Sequence, residues 1–173
     1  TRKREEEMRH KSETRLRTVI DSSPFPVAIV DLQDDKIHYW SRSALTLFGH
    51  TATTASEWYE MAYPDPAYRQ DVINRWQPCL EEAKSSGKSV NTGEYRVTCR
   101  DGSVLICELH AALIDDSLIV TFDNITKRKS DEKNIRRFAT VVRDSNDALL
   151  IKDFDGRITA WNRGAELMYG YSE

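Results

Sequence analysis

The chain repeats part of its own sequence. The segment YWSRSALTLFGHT at 39–51 returns as AWNRGAELMYGYS at 160–172, so that Trp40 corresponds to Trp161, 121 residues further on. A charged segment also recurs, because TRKR at the start returns as TKRK after 125 residues. A period of this length is too long for a solenoid repeat and suits one small domain plus a connector. We therefore expect one whole unit, preceded by a connector and followed by the beginning of a second unit.

Charge and cysteine content narrow the class of protein. The net charge of −3 gives no electrostatic case for binding nucleic acid or an anionic membrane surface. No apolar run approaches the roughly 18–20 residues that cross a bilayer, and the highly charged residues 1–17 do not resemble a signal peptide. Cys79, Cys99 and Cys107 lack CxxC spacing, which argues against a disulfide framework. We expect a cytoplasmic segment without membrane contact, whether or not its parent protein is anchored elsewhere.

Local signals predict the elements of the first unit. Residues 1–20 favour a solvated helix, and its i,i+4 ion pairs are Glu5–Arg9, Glu7–Lys11 and Glu13–Arg17. Next we expect a central strand at 25–30, buried on both faces, and a strand at 36–40. A helix at 42–48 follows between the caps Ser41 and Gly49, and then a short helix at 56–61. A long helix should run from Asp65-Pro66 to Gly87 and be kinked or split at Pro78.

Three further strands follow as a meander. Alternation at 94–100, the hairpin signal Asp101-Gly102, and apolar runs at 104–113 and 118–122 predict them. The order of elements predicts an α+β fold, with an antiparallel sheet and helices on one face. Val104 and Ile106 fall on the outer face of that sheet and need a covering helix or a second protomer.

A second connector helix is predicted over 126–144. Ile135, Phe138 and Val142 have the spacing of a coiled-coil seam and favour a parallel homodimer, although its charged remainder equally suits a solvated helix. Strands at 148–153 and 157–161 and a helix capped by Asn162 follow. Two strands and a helix cannot bury a core alone, so we expect this part to be mobile or to pack on another surface.

Several pieces in this order resemble one family. They are SPFPVAIVD at 23–31, WSRSALTLFG at 40–49, EYRVTCRDG at 94–102, FDNITKRK at 122–129 and DGRITAWNRGAELMYGYSE at 155–173. Together they resemble the PAS domain, in tandem copies joined by signalling helices. The resemblance implies a five-stranded antiparallel sheet cupped around helices, with a cavity able to hold a ligand. It divides the chain into a connector at 1–21, a complete PAS domain at 22–125, a coiled-coil connector at 126–145, and the N-terminal fragment of a second PAS domain at 146–173.

The resemblance also implies that signal leaves through the helix after the last strand. PAS domains usually show Asp-Ile-Thr at this exit, whereas this chain has Asn124-Ile125-Thr126 after Asp123. Asparagine keeps a hydrogen bond and loses a salt bridge, so a charge-based latch is not expected. We take Asp123, Asn124 and Thr126 as the signal exit. Thr1 to Arg4 resembles the tail of the same signature, which suggests that another PAS domain precedes.

No catalytic or metal-binding set emerges from the sequence. Nucleophile-elbow, Walker, zincin and zinc-spaced Cys/His motifs are all missing, and His10 lacks the residues of a histidine-kinase phospho-acceptor box. Flavin-adduct members of the family carry a cysteine where residues 59–69 have none, and haem-binding members use a histidine on the long helix, which lacks one here. His38 and His110 are expected at the surface or an interface. Haem and a covalent flavin adduct are therefore not expected, and the cofactor stays unknown.

Aromatic residues predict the ligand pocket. Those that converge near one arginine in the expected cup are Trp58, Tyr63, Tyr68, Arg69, Trp76 and Tyr95. Such a set suits a small carboxylate or a planar ring. Trp76 and Tyr95 equally fit a purely structural role in the core.

The pattern favours a non-catalytic sensory and relay module of a sensor histidine kinase in a two-component system. A small ligand or partner would change packing in the cup, and the 126–145 helix would carry that change onward. The alternatives are a PAS module of a diguanylate cyclase or of a transcription regulator, or a ligand-free dimerisation and spacer domain.

Overall fold

A computed structural model describes residues 2–171, with the side chains at 2–7, 9, 10, 13 and 16 outside that description. The predicted ion pairs of the first helix, His10 and the charged echo at Thr1 therefore lie outside the described residues. The chain forms two units, Thr1–Thr126 and Lys127–Glu173. No helix in the part of the chain that is described is long and apolar enough to cross a bilayer.

The first unit contains four helices and five strands, and a fifth helix begins at its last residue. In chain order they are α1 (Arg2–Ser22), β1 (Val27–Asp31), β2 (Ile37–Trp40), α2 (Arg42–Phe48), α3 (Ala55–Ala62), α4 (Pro66–Ser86), β3 (Val90–Thr98), β4 (Val104–Ile114), β5 (Ser117–Asn124) and α5 (Thr126–Asp144). The strands form one antiparallel sheet in the order β2-β1-β5-β4-β3. This confirms the predicted α+β fold with a five-stranded antiparallel sheet.

Alternating burial places the core on one face of this sheet. On β4, Cys107, Leu109 and Ala111 are buried, while the residues between them are only half-buried. Val104, on the outer face, is 52% exposed. The strands bury one face because their apolar residues recur at the two-residue period of a pleated sheet.

Two details of the sequence prediction were wrong. The strand expected at 25–30 begins at Val27, and Phe25 is 60% exposed, because Pro24 and Pro26 keep the preceding residues out of the ladder. This strand alternates between buried and half-buried residues, so it is buried on one face only. Helix α4 continues through Pro78 without a split, and the kink expected at that residue stays a prediction.

The two ends of helix α2 are set by the chemistry of single residues. The Ser41 side chain accepts from Ala44 N at 3.3 Å and from Val27 N at 2.9 Å, so one buried hydroxyl caps the helix and holds β1. Gly49 ends the helix with φ of 71°, a conformation that residues with a Cβ rarely adopt. Both caps were predicted.

The second unit repeats this arrangement on a smaller scale. It holds most of α5 together with β6 (Leu150–Lys152), β7 (Ile158–Trp161) and α6 (Arg163–Tyr169). Asn162 caps α6 by accepting from Ala165 N at 3.0 Å, and it also accepts from Leu149 N at 2.8 Å, as Ser41 does for the corresponding groups. A Cβ at Gly164 would collide with the carbonyl of Asp147, which explains the glycine there.

Candidate functional site

A cavity of about 520 Å³ lies between the inner face of the sheet and helices α3 and α4. Its floor comes from β1, β4 and β5, with Leu109, Leu118 and Val120 among the lining residues. Its aromatic walls are Trp40, Trp58, Tyr59, Tyr63, Trp76 and Phe122. The volume falls within the roughly 300–1,000 Å³ typical of small-molecule sites.

Three of the six aromatic wall residues form one packed cluster. Ring centroids lie 4.7 Å apart for Trp40 and Trp58, 5.9 Å for Trp58 and Phe122, and 6.1 Å for Trp40 and Phe122. Phe48 lies behind them, with its centroid 5.1 Å from both Trp58 and Phe122. Rings in contact at these distances support each other's orientation, so the shape of the cavity is tied to core packing.

Two of the three tryptophans that line the cavity, Trp40 and Trp76, differ in their hydrogen bonding. Trp40 Nε1 donates to the Ala52 carbonyl at 2.8 Å. Trp76 is 6% exposed, and its buried Nε1 has no hydrogen-bond partner among the residues that the structure describes. A buried donor without an acceptor is costly and rare, so Trp76 Nε1 is an unfavourable feature of the core that the described contacts do not offset.

Tyr59 and Tyr63 add two neutral hydroxyl groups to the same lining. Burial is the largest cause that raises the pKa of each phenol, so both stay protonated well above neutral pH. The inner lining is thus apolar, aromatic and uncharged, with a few O–H and N–H groups.

Three aspartates line the cavity where the turn between β1 and β2 reaches it. Asp31 accepts from Gln33 N at 2.7 Å, and this hydrogen bond is the largest cause that lowers the pKa of its carboxyl. Asp34 pairs with Lys36 at 3.3 Å, and Asp35 accepts from the Ser56 hydroxyl at 2.7 Å. All three carboxylates already have protein partners, so they give this end of the cavity negative charge without offering a bare ligand site.

Asp31, Asp34 and His38 place one ligand atom each within 4.8 Å of one another. His38 Nε2 lies 3.4 Å from Asp31, and the Asp34 and His38 side chains are exposed. These groups are paired within the turn, so we assign no metal to them.

The structure separates the six predicted pocket residues into two groups. Trp58, Tyr63 and Trp76 line the cavity, whereas Tyr68, Arg69 and Tyr95 do not. Arg69 instead donates from Nε to the Tyr63 carbonyl at 2.8 Å and from Nη2 to the Pro64 carbonyl at 3.1 Å. The guanidinium therefore holds the loop after α3, and the structure does not place it where it would bind a carboxylate in the cavity.

Tyr68 and Tyr95 each stack with an arginine outside this cavity. The Arg96 guanidinium lies 4.5 Å from the Tyr68 ring centroid, and the Tyr68 hydroxyl accepts from Arg96 N. Arg75 lies 4.4 Å from the Tyr95 ring, whose hydroxyl donates to the Thr92 carbonyl at 2.7 Å. These two tyrosines attach α4 to β3 and leave the lining to other residues.

The predicted exit residues form a hydrogen-bonded junction at the end of β5. Thr126 Oγ1 accepts from Ile106 N at 2.9 Å and donates to Asn124 Oδ1 at 2.6 Å. Asn124 Oδ1 also accepts from Thr126 N at 3.1 Å. Asp123 is exposed and, with Asn124, lines an open groove beside α2. The first residue of α5 is thus tied to β4 by hydrogen bonds.

The end of α1 is attached to β2, an edge strand of the sheet. The Tyr39 hydroxyl donates to Asp21 Oδ1 at 2.6 Å, and the same carboxylate oxygen accepts from Arg42 N at 3.0 Å. Burial is the largest cause that raises the pKa of Tyr39, to about 12, and the hydrogen bond to Asp21 adds to it. The last turn of α1 therefore contacts β2 and the start of α2 through one side chain.

Removing the Tyr39 hydroxyl is expected to change the alkaline stability profile. The neutral phenol is favoured in the folded state, so its contribution is complete below pH 10 and is lost as the pH rises towards 12. The stability advantage of the wild type over Tyr39→Phe should be constant from pH 7 to 9 and should then shrink by about 1–2 kcal/mol. Urea unfolding at each pH measures it, and an advantage that stays constant to pH 11.5 would contradict the assignment.

The three residues of the predicted dimer seam lie along α5. Ile135 and Phe138 are 67% and 72% exposed, and Val142 is half-buried. Val141, next to the seam, is also exposed at 62%. An apolar stripe this exposed on a charged helix is a candidate contact surface for a second helix.

Comparison with known families agrees with this geometry. A PAS domain model matches residues 14–85 and 136–173, which together make up more than half of the chain. The chain belongs to the PAS domain family. PAS domains are generally sensory and not catalytic modules. No curated protein matches the sequence.

Solved structures show the same PAS fold. An RNA-binding light-oxygen-voltage receptor aligns with a TM-score of 0.54 and 16% identity over 75% of this chain, and the chain spans only 37% of that receptor. The d2 variant of RsLOV aligns with a TM-score of 0.51 and 14% identity, covering 72% of this chain and 73% of the variant. The PAS domain of an HTR-like protein from Haloarcula marismortui aligns with a TM-score of 0.48 and 20% identity. The alignment covers 71% of this chain and 99% of that domain's chain.

Sequence reasoning missed half of the aromatic wall. Trp40, Tyr59 and Phe122 line the cavity but were absent from the predicted set. Trp40 carried a usable signal, because it recurs as Trp161 in the second unit. The link between Asp21 and Tyr39 carried none, since nothing local indicates that residues 18 positions apart will meet.

Proposed function

We propose that this PAS module is the sensory and relay segment of a sensor histidine kinase in a two-component system, located in the cytoplasm. A small ligand or a partner changes packing around the cavity, and α5 carries the change to an output domain. The segment itself has no catalytic role. Three cysteines that are free thiols support a reducing compartment.

One observation carries the relay proposal: strand β5 joins the cavity to the exit. Leu118, Val120 and Phe122 line the cavity on this strand, and the strand ends at Asn124, which binds Thr126. A shift of the strand by ligand contacts would therefore reach the first residue of α5 through hydrogen bonds. No flexible loop intervenes between the cavity and that residue.

The module is proposed to act as a homodimer through α5. Ile135, Phe138 and Val142 would form the seam, and the charged residues around them would remain in solvent. A pair of parallel helices has alternative rotational states, and a change between these states would form the relayed signal. The domain limits proposed with this function are 1–21, 22–125, 126–145 and 146–173.

Thr126→Val tests the relay, with Thr126→Ser as the matched control. Valine keeps the shape and removes the acceptor of the Ile106 N–H, so hydrogen exchange at that amide should accelerate, whereas serine should preserve its protection. In the full-length protein, valine should change basal ATP-dependent autophosphorylation about fivefold or more, in the range of typical coupling energies.

Unchanged autophosphorylation in Thr126→Val, despite faster exchange at Ile106, would contradict the relay through this junction. The same full-length protein distinguishes the outputs. Conversion of GTP to a cyclic dinucleotide would identify the output as a diguanylate cyclase in place of a kinase. Specific DNA binding without either activity would indicate a transcription regulator. A spacer role would follow if neither ligand nor junction affected the output.

A further inference from the structure

We propose that the outer edge of strand β3 is a docking surface for β3 of a second copy of the chain, and that side chains of α4 keep this edge closed. The proposal concerns the first unit alone and depends on neither the cavity nor the relay. It rests on the direction of the backbone groups along β3, on the side chains that bind them, and on the charges beside them.

Backbone groups of β3 point alternately towards β4 and towards the free edge of the sheet. Strand β3 is the last strand in the sheet order, and Arg96 lies opposite Ile106 of β4. Ile106 N donates to Thr126 Oγ1 at 2.9 Å, so it faces away from β3. In an antiparallel pair, two opposite residues either exchange hydrogen bonds or both face away from each other. The N–H and C=O groups of Glu94, Arg96 and Thr98 therefore face the free edge.

Two side chains of α4 bind these edge groups. The Tyr68 hydroxyl accepts from Arg96 N at 2.9 Å, and Arg75 donates from Nη2 to the Glu94 carbonyl at 3.3 Å. The Arg75 guanidinium also fills the space beside Gly93, where a Cβ would lie 2.8 Å from Nη2. An incoming strand has to bond to the same N–H and C=O groups, so it cannot form a ladder until these contacts are broken.

Without such contacts β3 would be an open edge strand. It runs for nine residues, Val90–Thr98, and carries neither the proline nor the lysine that commonly prevents edge pairing. Its register shift lies between Asn91 and Gly93, which leaves the second half of the strand regular. At the end of this half, His50 Nε2 lies 3.2 Å from the Thr98 carbonyl. The edge is thus long enough to pair, and side chains from outside the sheet cover it.

Charges on the outer face select one register for two copies of β3. Glu94 and Arg96 are exposed and share this face, because they lie two residues apart on the strand. When antiparallel copies meet with Tyr95 opposite Tyr95, each Glu94 lies beside Arg96 of the other copy, and their edge N–H and C=O groups face each other. A slip of two residues would pair like charges, which is destabilising. A second copy is therefore the partner that this edge fits.

Opening the edge tests the proposal in the whole chain. The chain also carries Phe138→Asp, which removes the proposed α5 seam from the measurement. Tyr68→Phe together with Arg75→Ala takes away both α4 contacts, and the dissociation constant for self-association should fall by about tenfold or more. Lys84→Ala is the matched control, because it removes the same charge from an exposed position on α4 and should leave the constant unchanged. Sedimentation equilibrium measures both.

Amide hydrogen exchange identifies the groups that pair. In the opened variant, protection of the Glu94 and Arg96 amides should rise with protein concentration, whereas that of the Val97 amide, which faces β4, should stay constant. Association through any other surface would not produce this alternation. Tyr68→Phe alone keeps the ring, and in dilute solution it should accelerate exchange at Arg96 N. This single variant, with a fall of about threefold in the dissociation constant, provides the same test if the double variant does not fold.

Charge reversal tests the register. In the opened variant, Glu94→Lys or Arg96→Glu should weaken association about threefold or more, and the two together should restore it. The proposal is overturned if the opened variants associate no more tightly than Lys84→Ala, if the protection does not alternate, or if the double reversal is as weak as each single one. None of these results bears on the relay, which is tested by basal autophosphorylation.

Discussion

Phe48→Ala is expected to lower the free energy of unfolding of the first unit by about 3–5 kcal/mol. Phe48 is fully buried, and its ring lies 5.1 Å from both Trp58 and Phe122, between the end of α2 and the cavity wall. Truncation removes the transfer energy of a phenyl group and leaves a void that tightly packed rings cannot fill. Urea unfolding followed by tryptophan fluorescence measures the change.

Leu45→Ala on the same helix is the matched control, because Leu45 is 49% exposed. Its loss should cost less than about 1 kcal/mol, as for other surface substitutions. A similar cost for the two variants would mean that the aromatic cluster is not the packed centre of the unit.

Phe138→Asp is expected to weaken self-association of the chain by about 100-fold or more. In the proposed dimer each copy would place a carboxylate at the seam, and the desolvation of two like charges costs several kcal/mol. The wild-type side chain is 72% exposed on α5, so the free chain should fold as before. Sedimentation equilibrium over a range of concentrations measures the dissociation constant.

Thr140→Asp introduces the same charge on the same helix, two residues further along and off the seam. It should leave the dissociation constant within about threefold, because a solvated charge at such a position costs little. Equal weakening by both substitutions would point to general charge repulsion along α5. A wild-type chain that stays monomeric at high concentration would contradict the dimer outright.

The sequence was most informative where one residue decides a local conformation. Ser41, Asn162 and Gly49 could be placed as caps because a cap depends on the chemistry of one side chain and the adjacent backbone. The five strands followed from alternation and turn signals for the same reason. The helices and strands could therefore be predicted largely from local patterns, whereas their assembly into a five-stranded sheet followed from the resemblance to the PAS family.

The candidate site was harder to predict because its contacts are long-range. Arg69 lies near the predicted aromatic set in sequence, yet its guanidinium binds two carbonyls of its own loop. Phe122 joins the wall only because β5 lies between β1 and β4, and no local pattern specifies that order. Whether a buried tryptophan lacks a hydrogen-bond partner can be decided only from coordinates.

The last turn of each connector helix is hydrogen-bonded to the elements that follow it. In the first unit, Asp21 in the last turn of α1 is held by the Tyr39 hydroxyl and Arg42 N. In the second unit, Asn162 Nδ2 donates to the Val142 carbonyl in the last turn of α5, at 2.8 Å. A flexible hinge would leave the orientation of the helix relative to the next element undefined. A hydrogen bond from the last helical turn restricts that orientation, so the helix and the following strands are expected to move together. We expect a rotation of either helix to act, through these hydrogen bonds, on the sheet element that follows it.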